Sequence, residues 1–468
     1  MESAAKEIKK APILKVPMGL KDFLGDASGT FTLNVISGLA GQLTYFYTDK
    51  IGLAAGAVAT VMLVGRVLDA LSNLIMGAIV ENTGAGKERY RPWLLRMVIP
   101  VLVLTIMLFT VPRGIGSGMQ TFYMLVVNIL LNSIVFVAIE IPYNSLLVVR
   151  TDDQGERGKM GTFRAGAGII SGMIIAVGII PITNMLGGDQ AAWIKFACVL
   201  APIAAILLYF CYKTSKEVVT QVDATQETEK EENISFKEAS LKLVKNKYWL
   251  MAFGLNFLAT IIYSIQGSSG IYYAKWIYNN ENLVGIQGAL GIIPMVLGFI
   301  LIGPMIKKFG VINTIKYALF LGFASQLLRL INPYNFVYNT ILGVFSGFTT
   351  IPMTALLGVV TAMSIDYNEI KFGQRMVGYA QSIVSFGMKI GGGLGLALIG
   401  WSLSLAHYDA QATVLTEATK QAIFTFNIYA PTIVYFLMFV IISKFDLEKR
   451  LPELKKNKLR KKEYKDEN

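Results

Sequence analysis

The chain holds a single histidine, His407, and two cysteines, Cys198 and Cys211. Neither cysteine has metal-ligand spacing, and both sit in or at the end of an apolar stretch, so they read as small core hydrophobes and a disulfide framework is excluded. Charge is scarce too: Asp, Glu, Lys and Arg make up 16% of the 468 residues. There is no Gly-rich phosphate loop, no metal-binding cluster and no nucleophile and base at a recognisable spacing. ATP-driven chemistry and a membrane-embedded enzyme therefore find no support, and no cofactor is expected. The N-terminal MESAAKEIKKAPILK lacks an apolar signal core, so no cleaved leader is expected.

What the chain has in abundance is hydrocarbon. Hydrophobic residues are 54% of the total, and apolar runs long enough to cross about 30 Å of bilayer recur along most of the sequence. About twelve spans are expected, near 26–48, 54–81, 93–112, 120–149, 160–183, 192–213, 248–277, 283–305, 313–331, 335–364, 376–405 and 422–443. Gaps after even-numbered spans carry Lys87, Arg89 and Arg91, or Lys307 and Lys308, or Lys371 and Arg375, whereas NNEN and NPYN after odd-numbered spans carry almost no positive charge. The positive-inside rule then places both termini and the even-numbered loops in the cytoplasm. The net charge of +12 lies mostly in those loops and in the tail KKNKLRKKEYK. Attraction to membrane lipid accounts for it, and no nucleic-acid partner is implied.

The longest polar interval, residues 213–247, divides the spans into six and six. The expected organisation is an N-terminal half 1–212, a cytoplasmic linker 213–247, a C-terminal half 248–445 and a basic tail 446–468. The stretch SFKEASLKLVKNKYW repeats its apolar residues at helical spacing and predicts a short amphipathic helix on the membrane surface. Such an all-α membrane protein, two six-helix halves joined by a linker, has the layout of the major facilitator fold, in which substrate binds near the midplane between halves. Transport across the cell membrane follows as the expected activity.

Ionisable residues inside hydrocarbon are costly unless they face a cavity or a partner, so each marks a candidate site. In GRVLDALSNLIMG, Arg66, Asp69 and Asn73 share one helix face with Ser72 on its edge. Carboxylate, hydroxyl and amide oxygens suit Na⁺, and a carboxylate alone could carry a proton; the alternative is a buried pair in which Arg66 only neutralises Asp69. In VAIEIPYNSLL, Glu140 precedes Pro142 and Asn144 follows one turn on, a pair able to hydrogen-bond a polar ligand or to relieve a backbone break at the proline. Lys389, in SIVSFGMKIGGGLG with Ser385 four residues earlier, lies too deep to snorkel. It is expected to meet the carboxylates of the opposite half. Arg164 and Lys275 lie near span ends, where snorkelling competes with binding, and His407 is expected in an outer loop.

At these residues the chain resembles the glycoside-pentoside-hexuronide:cation symporter family. The resemblance rests on YFYTDKIGLAAGAVATVMLVGRVLDALSNLIMG, RYRPWLL, EIPYNSL, TDDQGERGKMGTFR, DYNEIKFGQR and the Lys389 stretch, in family order across both halves. It implies that Asp69 is the first acid of a cation site, that Glu140 replaces a sugar-binding aspartate and that Lys389 stands close to both, beside Ser385. It also implies structural or gating roles for Asp366, Tyr367 and Glu369 in a cytoplasmic loop, and makes Asp26 a candidate acid in the first helix. Several positions depart from the family pattern. Asn73 and Leu74 stand where a second aspartate and a proline are usual, Val137 where a member has threonine, and Asn144 and Thr354 where aromatics flank the sugar.

The expected function is therefore sugar symport by alternating access, with Na⁺ or H⁺ as coupling ion and the whole pathway in a functional monomer. Substrate is assigned to Glu140, Asn144, Lys389, Ser385, Thr354, Arg164 and Asp26, and the cation to Asp69, Ser72 and Asn73. An uncoupled uniporter is the nearest alternative, with Asn73 as its cause. A lipid carrier of the same fold would need an apolar cleft instead of a polar cavity.

Overall fold

The computed structural model describes residues 18–82, 88–151, 154–217, 236–372 and 376–451, with 453, 454 and 456. The N-terminal segment, most of the linker, the end of the basic tail, Lys87 and Arg375 lie outside the described residues. Apolar runs in hydrocarbon must satisfy every backbone group internally, and here they do so as helices. The order begins with α1 (Leu20–Tyr45), continued by a π-helical turn Phe46–Lys50, then α2 (Ala55–Asn82) and α3 (Arg91–Met107). Next, α4 (Ser117–Asn128), a π-helical stretch Ile129–Val135 and α5 (Phe136–Val149) form one continuous rod, followed by α6 (Gln154–Met185) and α7 (Gln190–Thr214). After the linker come α8 (Phe236–Val244), α9 (Lys247–Trp276), α10 (Leu283–Leu290), α11 (Ile292–Phe309), α12 (Val311–Leu328), α13 (Phe336–Gly347) and α14 (Thr350–Phe372). The chain closes with α15 (Val377–Leu405), α16 (Glu417–Phe424), a π-helical turn Thr425–Tyr429 and α17 (Ala430–Ser443).

Among the described residues, ten helical stretches are long and apolar enough to cross a membrane, against the twelve expected. The first helix and α3 fall outside that set. Helix α1 is diluted by Asn34, Gln42 and several Ser, Thr and Gly residues, and α3 has only 17 residues. Two further expectations are corrected. Pro142 lies inside α5 without ending it, and the irregular backbone comes earlier, in the π-helical stretch before Phe136. Asp366, Tyr367 and Glu369 are not in a loop: α14 continues to Phe372. Buried Asn246 holds that helix end, its amide donating to the Ser364 carbonyl at 2.9 Å, and the Tyr367 ring meets Tyr248 edge-on at 4.9 Å.

Successive spans run antiparallel, with α4–α5, α10–α11, α13–α14 and α16–α17 each making one span, which gives the molecule two ends. The terminal face carries the start of α1 and the ends of α7 and α17; the distal face carries the turns after Lys50, Trp276 and Leu405. One apolar core fills α1–α7 and reaches into the distal parts of the later helices at Tyr272, Leu403 and Phe426. A second core, around Leu255, Ile315, Leu357 and Met438, belongs to α9–α17 alone. Near the distal face the two groups thus share a core. Helix α15 is the seam, pressed between α9 and α2 by small residues. A β-carbon on Gly391 would stand 2.6 Å from the Phe257 carbonyl oxygen, and one on Gly400 2.5 Å from the Ala59 β-carbon. Only glycine permits that approach on both sides.

Candidate functional site

Asp69 sits midway along α2, where the α2–α15 seam ends. Distally the helices touch: β-carbons added at Gly56, Gly400 or Gly393 would collide with Ser404, Ala59 or Arg66. One turn nearer the terminal face, the Lys389 ammonium donates to Asp69 Oδ1 at 2.8 Å. The Asp69 carboxylate is buried. Asn73 donates its amide to the Asp69 carbonyl at 2.8 Å and reaches Oδ1 at 3.4 Å. Arg66 approaches only to 3.8 Å, on the other oxygen, Oδ2. The pair read from helical spacing is thus the looser of the two, and the closer partner comes from the far side of the seam.

Below that ion pair the helices part around a cavity of about 610 Å³ that reaches the terminal face at α8. Asn73, Ser385 and Lys389 line it together with Ala70, Trp249, Gln381, Ser382 and Phe386 and with Ser240 and Val244 of α8. Among the described residues of its lining, Asn73, Ser240, Gln381, Ser382, Ser385 and Lys389 offer hydrogen bonds, set in a wall that is mostly apolar surface. A second space, of about 10 Å³, lies between Arg66, Asp69, Asn128 and Asn132, roughly the room of one water. The asparagines of VVNILLNSIVF, polar points in an apolar run, are the sequence signal for it.

Glu140 is half-buried on α5, within electrostatic range of both Lys389 and Asp69. Among the described residues it accepts no hydrogen bond. Asn144 is exposed one turn on, and Ser72 is half-buried beside Asp69. Thr354 is exposed on α14, its hydroxyl donating to the Thr350 carbonyl at 2.9 Å. None of these four lines the larger cavity.

Asp26 and Arg164 are brought to each other and not to Lys389. Arg164 donates from Nε to Asp26 Oδ2 at 2.6 Å and from NH2 to Oδ1 at 2.9 Å. Arg150 adds a third bond at 3.0 Å. Asp26 is fully buried, and the Arg164 guanidinium stacks 3.8 Å over the Tyr143 ring, whose hydroxyl donates to the Asp26 carbonyl. The start of α6 at Gln154 explains the geometry: Arg164 stands ten residues inside a helix, beyond easy reach of water. Lys275 likewise does not snorkel, because it donates to Asp49 across the distal face. Spacing along one helix carries no trace of either cluster, since the acid and its cations stand at least 124 positions apart in sequence.

Residues 26–449 match the family model described as MFS/sugar transport protein. An Escherichia coli protein described as a candidate glycoside/cation symporter is 28% identical over 86% of this chain and 87% of its own length. The isoprimeverose transporter of Lactiplantibacillus pentosus is 27% identical over 88% and 85% of the two chains. A glucuronide carrier protein homolog of Escherichia coli is 27% identical over 92% and 93%. Among solved structures, the nucleoside transporter NupG superposes with a TM-score of 0.66 over 92% of this chain and all of its own, at 14% identity, which speaks for the fold alone. The chain is a multi-pass transporter of the plasma membrane, and it belongs to the MFS/sugar transport protein family, within the glycoside-pentoside-hexuronide:cation symporters.

Proposed function

We propose that the protein carries a glycoside, pentoside or hexuronide together with a cation, Na⁺ or H⁺, by alternating access. In this reading the chain has twelve spans in two halves, 1–212 and 248–445, with linker 213–247 and tail 446–468 on the cytoplasmic side with both termini. The carrying observation is the Lys389–Asp69 ion pair, which joins the halves at the roof of the cavity. Asp69 then does two jobs. With no cation bound, it holds Lys389 and so holds the halves together at that level. A cation on Asp69, supported by Ser72 and Asn73, displaces the ammonium, because two positive charges compete for one buried carboxylate. Freed Lys389 and unpartnered Glu140 then present a donor and an acceptor to sugar hydroxyls. Asn144, Ser385 and Thr354 contribute further polar contacts. Arg164 enters through its place against Tyr143, one turn from Glu140, with Asp26 as the residue that positions it.

Cation binding thereby favours sugar binding, and the coupling rests on the differential affinity of the two states. Uniport is the second reading, favoured by one observation: Lys389 already neutralises Asp69, so a cycle without an added cation does not leave that carboxylate unpaired. A panel of labelled glycosides, pentosides and hexuronides, offered to proteoliposomes under a Na⁺ gradient and separately under a pH gradient, separates the two. Accumulation above equilibrium under one gradient identifies a symporter and its ion, whereas entry that only equilibrates makes the protein a uniporter. Glu140→Ala should abolish uptake in either case, and wild-type uptake by that variant would remove Glu140 from the site.

A further inference from the structure

The distal face closes through two acid clusters that mirror one another. Asp49, in the π-helical turn ending α1, accepts from Lys275 near the end of α9 and from the Tyr408 hydroxyl at 2.7 Å. Glu281, in the turn between α9 and α10, accepts from the Tyr45 hydroxyl and lies 3.7 Å from the Lys50 ammonium. Each half therefore gives one carboxylate, one lysine and one tyrosine. Each carboxylate is held by the lysine and tyrosine of the other half. The clusters differ in solvation: the Asp49 side chain is 1% exposed and that of Glu281 24%. Thr48 fixes the second oxygen of Asp49 at 2.7 Å and meets the Tyr272 hydroxyl across the seam at 2.9 Å. About two turns deeper, the Ser268 hydroxyl donates to the Gly41 carbonyl at 2.8 Å, again from one half to the other.

Apart from the Thr48–Asp49 bond, which stays within one turn, these contacts cross the seam on the side opposite the cavity. A desolvated ion pair holds only while both partners stay in place, and losing one leaves a buried charge unpaired. We infer that the Asp49–Lys275–Tyr408 and Glu281–Lys50–Tyr45 clusters form a reciprocal latch whose release opens the distal side to solute. The inference rests on the alternating-access reading above. Asp49, the dry carboxylate, carries most of the hold, and Glu281 forms its wet rim.

A cysteine at Ser268, beneath the latch and only 3% exposed, reports its opening through alkylation by N-ethylmaleimide in a Cys198→Ser background. Asp49→Asn and Lys275→Gln should each label about five-fold faster, the shift expected when a latch is weakened by ~1 kcal/mol. Glu281→Gln should label less than about two-fold faster, in keeping with a solvated pair. The exchanged double variant Asp49→Lys with Lys275→Asp should return towards the parental rate, which a merely misfolded protein would not do. Parental labelling in every variant, with sugar uptake intact, overturns the latch and leaves the transport reading standing. Faster labelling in variants of a protein that moves no sugar in the uptake panel supports the latch and removes the substrate reading instead.

Discussion

Asp26 and Asp69 are both buried carboxylates on helices of the N-terminal half, and they are held in opposite ways. Asp26 accepts three bonds from Arg150 and Arg164, at 3.0, 2.6 and 2.9 Å, all within its own half. Asp69 accepts its short bond from Lys389 of the other half, while among the described residues its Oδ2 has only Arg66 at 3.8 Å. A pair inside one bundle survives a rigid rocking motion, and a pair across the seam does not. Saturation of Asp26 therefore reads as architecture, and the spare oxygen of Asp69 as capacity for a ligand. The Asp49 latch falls on the same side of that division as Asp69.

The largest effect should come from breaking the conditional pair. Lys389→Ala leaves Asp69 buried without its near partner, a loss of ~3–5 kcal/mol, and removes the donor proposed for sugar. Uptake should fall by at least about 100-fold, since each 1.4 kcal/mol is a factor of ten. Pairing Lys389→Met with Asp69→Asn should restore thermal stability in detergent while uptake stays lost. Recovered uptake in that double variant would show that neither charge takes part in transport.

Asp26→Asn supplies the contrast. It strands Arg150 and Arg164, whose side chains are 3% and 12% exposed, and should lower unfolding stability by ~3–5 kcal/mol. Uptake per folded molecule should fall less than in Lys389→Ala. An Asp26→Asn protein that unfolds like the parent yet moves no sugar would turn Asp26 into a direct substrate contact and erase the comparison.

How much of this was legible in the sequence depends on how local the cause is. Hydropathy reveals a span because its cause is carried by neighbouring residues, and ten of the expected spans meet the length and apolarity a membrane demands. Ends are less legible: DYNEIKF reads as a loop because it is charged, yet buried Asn246 and Asn368 keep it helical. The Arg66, Asp69 and Asn73 face follows from i, i+3 and i+4 spacing, and the depth of Lys389 in an apolar run announces a buried partner. Which partner is another matter. Arg164 finds Asp26 at a separation of 138 residues and Lys275 finds Asp49 at 226, and no pattern within one helix encodes such a meeting.

The smallest effect belongs to pairs that neither cross the seam nor sit deep. Glu217, just after α7, accepts from the backbone N–H groups of Arg89, Tyr90 and Arg91 at 2.9, 2.6 and 2.7 Å and so caps the start of α3. Glu448, just after α17, does the same for α12 through Val311 and Ile312 at 2.7 and 3.0 Å. Each half thus ties its last helix to the helix three spans earlier through one carboxylate at a helix N-terminus, where the dipole favours negative charge. Glu217→Gln and Glu448→Gln keep one acceptor oxygen but lose the charge and the second acceptor, so each should cost ~1–2 kcal/mol, seen as a small fall in the thermal midpoint. Because both clasps stay within a half, uptake per folded molecule should not change. A transport defect larger than the stability loss would mean that the terminal-face clasps also open during the cycle, and that the boundary between constant and conditional pairs does not follow the seam.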